Sequence, residues 1–403
     1  MRQAVAVYVL LLFYGSLYPF QWAARSEPLF GFLLHPGAAY LERGDLLQNV
    51  LVYMPFGLLL AAWWARRHRY WLALLLAVLA GAAFSVAAEV AQEWLPARVS
   101  SAADVAMNVL GTLCGALLAG LLRRDTFSGA RLQAWRDGWF ARGAIANTGL
   151  VVVALWFLSQ TSPLMPVLGL WRWRRALAPL YFQLHGAMGV SLAATVCLAC
   201  QFAALGLLLR ALIRPGHPWW RLYGALLLAV LACQVLIDGH TLRLEEVAGA
   251  ALALPLLALL CRSPATGAAG PSACTAIALL ALAMALGELT PVHGGWLGGG
   301  FNWIPFRGHM RSLQGYTNIL EFLGPFMAMA WLARQVSAPA RHHRIALAGG
   351  AAVGAAMFAL EWAQLYLPGR SADITQVMLA CAGWCAPWLV EEWVLAHPQP
   401  AAV

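Results

Sequence analysis

The sequence contains no lysine: all 26 of its basic residues are arginine. Charged residues of both signs amount to 11%, against 62% hydrophobic residues, too few to cover the surface of a water-soluble globule. No nucleotide-binding loop is present, which speaks against ATP-driven action by this chain. The formal charge of +9 is spread over short stretches between apolar runs, where it sets orientation, so no nucleic-acid partner is expected. Cysteine and histidine chemistry is equally thin. Cys114, Cys197, Cys200, Cys233, Cys261, Cys274, Cys381 and Cys385 fall in or beside apolar runs, where a thiol behaves as a small hydrophobe. Cys197 and Cys200 have the spacing of a redox pair but no polar turn or basic neighbour. His342 and His343 lie in an arginine-rich loop without acidic or cysteine partners. No metal and no cofactor is expected.

What the chain has in abundance is apolar runs of about 20 residues, the length that crosses a hydrocarbon core of about 30 Å. Many of the 19 tryptophans stand near the ends of these runs, as Trp63, Trp64, Trp219, Trp220 and Trp331 do. About twelve spans are predicted, near 4–22, 46–65, 71–94, 104–122, 143–161, 186–212, 219–238, 244–262, 272–290, 317–335, 344–366 and 374–395. They lack the alternation of barrel strands, so the expected class is all-α: a polytopic transmembrane helical bundle. The first run continues into the bulky Tyr18-Pro19-Phe20-Gln21-Trp22 rather than a small-residue cleavage site, and is read as an uncleaved span. With twelve spans and a cytoplasmic start, 16 of the 26 arginines fall on the cytoplasmic side, which favours both termini inside.

Two stretches about 270 residues apart repeat a polar signature at the end of an apolar run. Glu89, Gln92, Leu95, Pro96 and Arg98 of the first correspond to Glu361, Gln364, Leu367, Pro368 and Arg370 of the second. Beyond the first lie Asp104, Asn108 and Gly111. The same offsets in the second reach Gln376, Ala380 and Gly383, with Asp373 three residues early. Upstream, Asn49 and Pro55 parallel Asn318 and Pro325. A worn middle copy is suggested by Gln234, followed after twelve residues by Glu246 where the first copy has Asp104. The expected organisation is three four-helix modules, 1–125, 126–265 and 266–403. An even number of helices makes them parallel repeats about an axis along the membrane normal.

These residues resemble the VanZ-like family, whose pattern runs through Asn49, Pro55, Gly57, Glu89, Gln92, Pro96, Arg98, Asp104, Asn108 and Gly111. In the last module Phe301-Asn302-Trp303-Ile304-Pro305-Phe306 is similar to the family's segment ahead of its second helix, while Gln376 and Ala380 depart from the pattern. The resemblance implies a bacterial cytoplasmic (inner) membrane protein with a cell-envelope role. The family's named member is associated with lowered sensitivity to the glycopeptide teicoplanin.

Glu89 with Gln92, and Asp104 with Asn108, each share a helix face on two helices joined by a short turn. Asn49 starts a helix at the same level and Arg98 sits on the turn. The expected site is therefore Asn49, Glu89, Gln92, Arg98, Asp104 and Asn108, with Asn318, Glu361, Gln364, Arg370 and Asp373 as its second version. Ionisable groups cost about 2.5–3.5 kcal/mol each at a helix centre in the membrane, so they must be compensated. Three functions remain open. The residues could bind or move a membrane lipid or lipid-linked envelope precursor. They could act on one chemically, with Glu89 and Asp104 as acid and base, although Ser85 is the only nearby nucleophile and no histidine accompanies it. Or they could fasten helices of a scaffold for membrane-protein partners, at about 0.6 kcal/mol per hydrogen bond. Gly111 and Gly115 have the spacing of close helix packing.

Overall fold

The computed structural model describes residues 2–24, 30–34, 43–96, 98–162, 165–166, 169–261, 269–291, 300–307, 309 and 313–396. Among these the chain is helical, with no β-strand beyond three isolated bridges. It divides into two compact units, Met1–Arg136 and Asp137–Val403. Eight helices among the described residues are long and apolar enough to cross a membrane. The chain is a multi-pass helical membrane protein.

The first unit contains α1 (Arg2–Leu17), the one-turn α2 (Gly31–Leu34), α3 (Arg43–Trp64), α4 (Tyr70–Gln92), α5 (Ala102–Leu121) and the start of α6 (Phe127–Trp139). Helices α3 and α5 lie against each other because glycines remove the side chains between them. A Cβ on Gly111 would overlap the carbonyl of Val50, and one on Gly115 the carbonyl of Met54. This is the close approach that Gly-x-x-x-Gly spacing permits in membranes. Around this contact Tyr53, Phe56, Leu60, Ala77 and Ala116 are buried, with Phe84 packed on the two aromatic rings.

The second unit contains α7 (Ala144–Thr161), α8 (Leu170–Leu184), α9 (Leu192–Leu212), α10 (Trp219–Leu236), α11 (Leu244–Leu260), α12 (Ala269–Leu289), α13 (Leu313–Val336), α14 (His342–Gln364) and α15 (Ile374–Ala396). The hydrophobic core of this unit is continuous. It runs from Phe202, Leu209 and Leu212 on α9 to Trp331 on α13 and Met357 on α14. Trp331 is fully buried, and its indole N–H donates to the carbonyl of Ile145 at 2.7 Å. The expected module boundary at 265 falls inside this unit.

Every predicted span coincides with a helix, displaced at either end by a few residues. The sequence reading passed over α6 and α8. Both are short, and α8 carries Arg172, Arg174 and Arg175 in its first two turns. An apolar-run criterion misses such helices because their polar face interrupts the run.

Candidate functional site

The site begins with the turn between α4 and α5. Helix α4 brings Glu89 and Gln92 to its last turn, and both are buried. Oε2 of Glu89 accepts the backbone N–H of Ser101 at 2.9 Å, and the Ser100 hydroxyl donates to the Glu89 carbonyl at 2.8 Å. Ser101 in turn caps α5, its hydroxyl accepting from the N–H of Ala103 at 3.2 Å. Glu89 thus ties the start of one helix to the end of the preceding one. The charged groups acting on it are Asp104 and Arg98.

Gln92 and Arg98 reach a different helix. Nε2 of Gln92 donates to the carbonyl of Ser16 at 2.9 Å. Arg98 donates from Nε to the carbonyl of Tyr18 at 3.2 Å and from Nη2 to that of Gly15 at 2.7 Å. These carbonyls belong to the C-terminal end of α1, where backbone acceptors have no intrahelical partner and carry partial negative charge. A planar guanidinium meets two of them at once. Asn49 and Asp104 pair across α3 and α5, Nδ2 to Oδ1 at 2.8 Å. Asn108 donates to the Ser85 hydroxyl at 2.9 Å. The Asn108 Oδ1 and the Tyr53 hydroxyl are buried without a hydrogen-bond partner among the described residues. Tyr53 faces Ser85, Ser16 and Glu89, so a polar seam continues inward from the turn.

The second signature repeats this wiring. Oε2 of Glu361 accepts the N–H of Asp373 at 2.8 Å, spanning 12 residues as the Glu89–Ser101 bond does. Nε of Arg370 donates to the carbonyl of Thr290 at 2.9 Å and Nη2 to that of Gly287. The separations, 80 and 83 residues, are those of Arg98 from Tyr18 and Gly15. Gln364 again reaches back 76 residues, here to the carboxylate of Glu288 at 2.5 Å, where Gln92 reaches the Ser16 carbonyl. It also donates to Oε1 of Glu361 at 3.1 Å.

Two details differ from the sequence reading. Asp373 occupies the place of Ser101, not of a displaced Asp104: its N–H meets the glutamate and its Oδ1 accepts from the N–H of Thr375 at 2.7 Å. The asparagine that pairs with it is Asn302, Nδ2 to Oδ2 at 2.9 Å, from the segment ahead of α13. Asn318 stands on α13, half-buried. His309 is buried 3.8 Å from Asp373. Burial lowers its pKa from the ordinary histidine value, and the Asp373 carboxylate opposes that shift.

The middle region holds a thinner version. Six residues after Gln234, where the two signatures have arginine, stands His240. Its ring bonds the Gln234 Oε1 at 2.8 Å and the carbonyl of Ser162, just past α7, at 2.5 Å. Nine residues after Gln234, Arg243 immediately precedes α11, as Ser101 precedes α5 and Asp373 precedes α15. Glu246, expected at the position of Asp104, accepts the N–H of Arg243 at 2.5 Å and so caps its own helix. The buried glutamate of this region is Glu245, which accepts from the N–H of Ser191 at 2.9 Å and from Nε2 of Gln183.

The second unit also contains a cavity that the sequence reading did not anticipate. About 260 Å³ in volume, it lies between α7, α9, α12 and α13. One end is polar, with Ser159, Gln160, Gln201, Glu288 and Glu321. The remainder is apolar, with Val152, Leu205, Leu208, Leu280, Ala283 and Ala328 among its walls. Ser159, Gln160 and Glu288 lie in the last turns of α7 and α12. Val152 and Leu280 lie nine residues before the ends of the same helices, roughly 13 Å deeper at 1.5 Å per residue.

Residues 5–123 match the family model of VanZ/LLP1. The first unit is a VanZ-like module. No curated protein matches the chain, and no solved structure does. The VanZ-like match contains Asn49, Glu89, Gln92, Arg98, Asp104 and Asn108, whereas the cavity of the second unit lies beyond it.

Sequence reasoning missed the partners of the two signatures at the ends of α1 and α12. A signal for them is present. Gly15-Ser16-Leu17-Tyr18-Pro19 and Gly287-Glu288-Leu289-Thr290-Pro291 share glycine, leucine and proline at the same 272-residue offset as the glutamate–arginine signature. Glu321, Gln160 and Gln201 have no repeat to mark them.

Proposed function

We propose that this protein is an inner-membrane protein of the bacterial cell envelope whose second unit binds an amphiphile of the membrane, a lipid or a lipid-linked envelope molecule. The observation that carries this reading is the cavity between α7, α9, α12 and α13, polar near the helix ends and apolar deeper in the unit. That gradient matches a molecule with a polar head and a hydrocarbon chain. A lowered sensitivity to teicoplanin is a downstream effect consistent with such a role and with the VanZ-like module.

The repeated signatures have a structural part in this proposal. Glu89, Gln92 and Arg98, and likewise Glu361, Gln364 and Arg370, hold the turn between the third and fourth helix of a module against the end of its first helix. The common 76-, 80- and 83-residue separations support descent of these modules from one ancestor. The reduced Gln234–His240 version supports a third copy between them. In this arrangement both termini are cytoplasmic and the turns face outward.

The experiment is retention of hexadecanol by the purified protein, read by native mass spectrometry. Wild-type protein should retain it, and A283W, which places an indole in the cavity, should not. Equal retention by a folded A283W protein would remove the cavity from the proposal.

A further inference from the structure

We infer that the occupant of this cavity carries a cationic head, an ammonium group on an amphiphile, held by Glu321 with Glu288 beside it. This rests on the cavity being a ligand site, as proposed above, and adds the chemistry of the ligand. Among the described residues, Glu321 and Glu288 are the charged residues lining the cavity, and no arginine or histidine lines it. Glu321 makes no hydrogen bond or ion pair among the described residues; its side chain is exposed, and it lines the cavity. Glu288 is buried, and the hydrogen bond to its Oε2 comes from Gln364. The basic group acting on Glu288 is Arg370, whose Nε and Nη2 are engaged by the carbonyls of Thr290 and Gly287.

Two carboxylates line this cavity and one of them has no partner, so a positive charge brought there is attracted by both. A bound ammonium supplies that charge and three N–H donors. Gln160, Gln201 and Ser159 offer further oxygen acceptors at the same end. The indole of Trp156, also in the wall, presents an aromatic surface that a cation tolerates. A phosphate head would meet like charge from both glutamates. Glu321 is eight residues into α13, so its carbon backbone stands roughly 12 Å below the helix start. The chain of a single-tailed amphiphile would then extend past Leu280 and Ala328 into the apolar part.

The test uses the full chain in dodecyl maltoside and three probes with one tail and different heads: hexadecylamine, hexadecanol and hexadecyl phosphate. Native mass spectrometry reads retention, and thermal unfolding confirms that each variant is folded. Wild-type protein should retain the amine at least tenfold more tightly than the phosphate, with the alcohol between them. E321Q should bring the retention of the amine down to that of the alcohol, removing the preference for the cationic head. A283W should lose all three, and A328W on another wall replaces it if A283W does not fold. Equal retention of amine and phosphate, or an E321Q protein that binds the amine as wild type does, overturns the cationic head and leaves the cavity reading standing. Retention of all three probes by the filled variants overturns the cavity reading itself.

Discussion

Oε2 of Glu361 accepts the backbone N–H of Asp373 at 2.8 Å, joining the last turn of α14 to the residue ahead of α15. The glutamate also takes a bond from Gln364, so both carboxylate oxygens are used. Truncation by Glu361→Ala leaves the buried Asp373 N–H unpaired, at about 1–3 kcal/mol, and leaves the Gln364 amide with Glu288 as its acceptor. The melting temperature in detergent should fall clearly for Glu361→Ala. It should fall less for Glu361→Gln, whose amide oxygen still accepts. Equal melting of the alanine variant and wild type would show that the bond contributes nothing.

Arg98 meets two carbonyls of α1 with a rigid fork, and a lysine cannot place donors on both. Arg98→Lys should therefore lose stability, on the order of 1–3 kcal/mol for charge-assisted bonds, despite the conserved charge. A receptor for anionic headgroups would keep most of its function with lysine. Comparing thermal stability of Arg98→Lys and Arg98→Met separates the two roles: the fastener predicts that both fall, the receptor that lysine is spared.

Gly115 lies on the carbonyl of Met54, so the Cβ of an alanine there would overlap backbone rather than a side chain that can turn away. Gly115→Ala should push α3 and α5 apart and cost about 1–3 kcal/mol or more. Gly138, with open space around its Cβ position, is the control, and Gly138→Ala should leave folding unchanged. Size-exclusion profiles and melting in detergent report the difference.

His309 outside the membrane-spanning helices is buried, and its pKa lies below the ordinary histidine value of 6.5 because burial outweighs the attraction of Asp373. The unfolded chain then binds a proton that the folded chain does not. The stability this contributes is fully present above about pH 6.5 and is lost as pH falls toward the folded value. Melting should therefore drop as pH falls below about 6.5. In His309→Gln that part of the pH dependence should disappear. An unchanged pH profile in the variant would place the acid sensitivity elsewhere.

Much of the fold is legible because membrane crossing imposes a length. Each of the predicted spans is a helix, since a run of about 20 apolar residues in a bilayer has to satisfy its own backbone. The turns were legible too: proline and arginine following a Glu-x-x-Gln pair mark where α4 and α14 end. Asp373 was harder. Its acidic side chain makes it look like a shifted Asp104, although the 272-residue offset places it opposite Ser101, and its N–H on Glu361 shows that it takes the Ser101 role.

The sequence by itself determined the long apolar helices, the glycine contact at Gly111 and Gly115, and the correspondence of Glu89 to Glu361 and of Arg98 to Arg370. These follow from hydropathy, residue size and repetition, all of which are properties of residue identity. The tertiary structure alone decided what those groups touch. Arg98 and Arg370 bind the carbonyls of Gly15, Tyr18, Gly287 and Thr290, and a carbonyl is the same on every residue, so nothing in the side-chain pattern announces it. The cavity is likewise a gap between α7, α9, α12 and α13. Its polar end gathers Gln160, Gln201, Glu288 and Glu321 from four separate helices, and their meeting depends on how those helices pack.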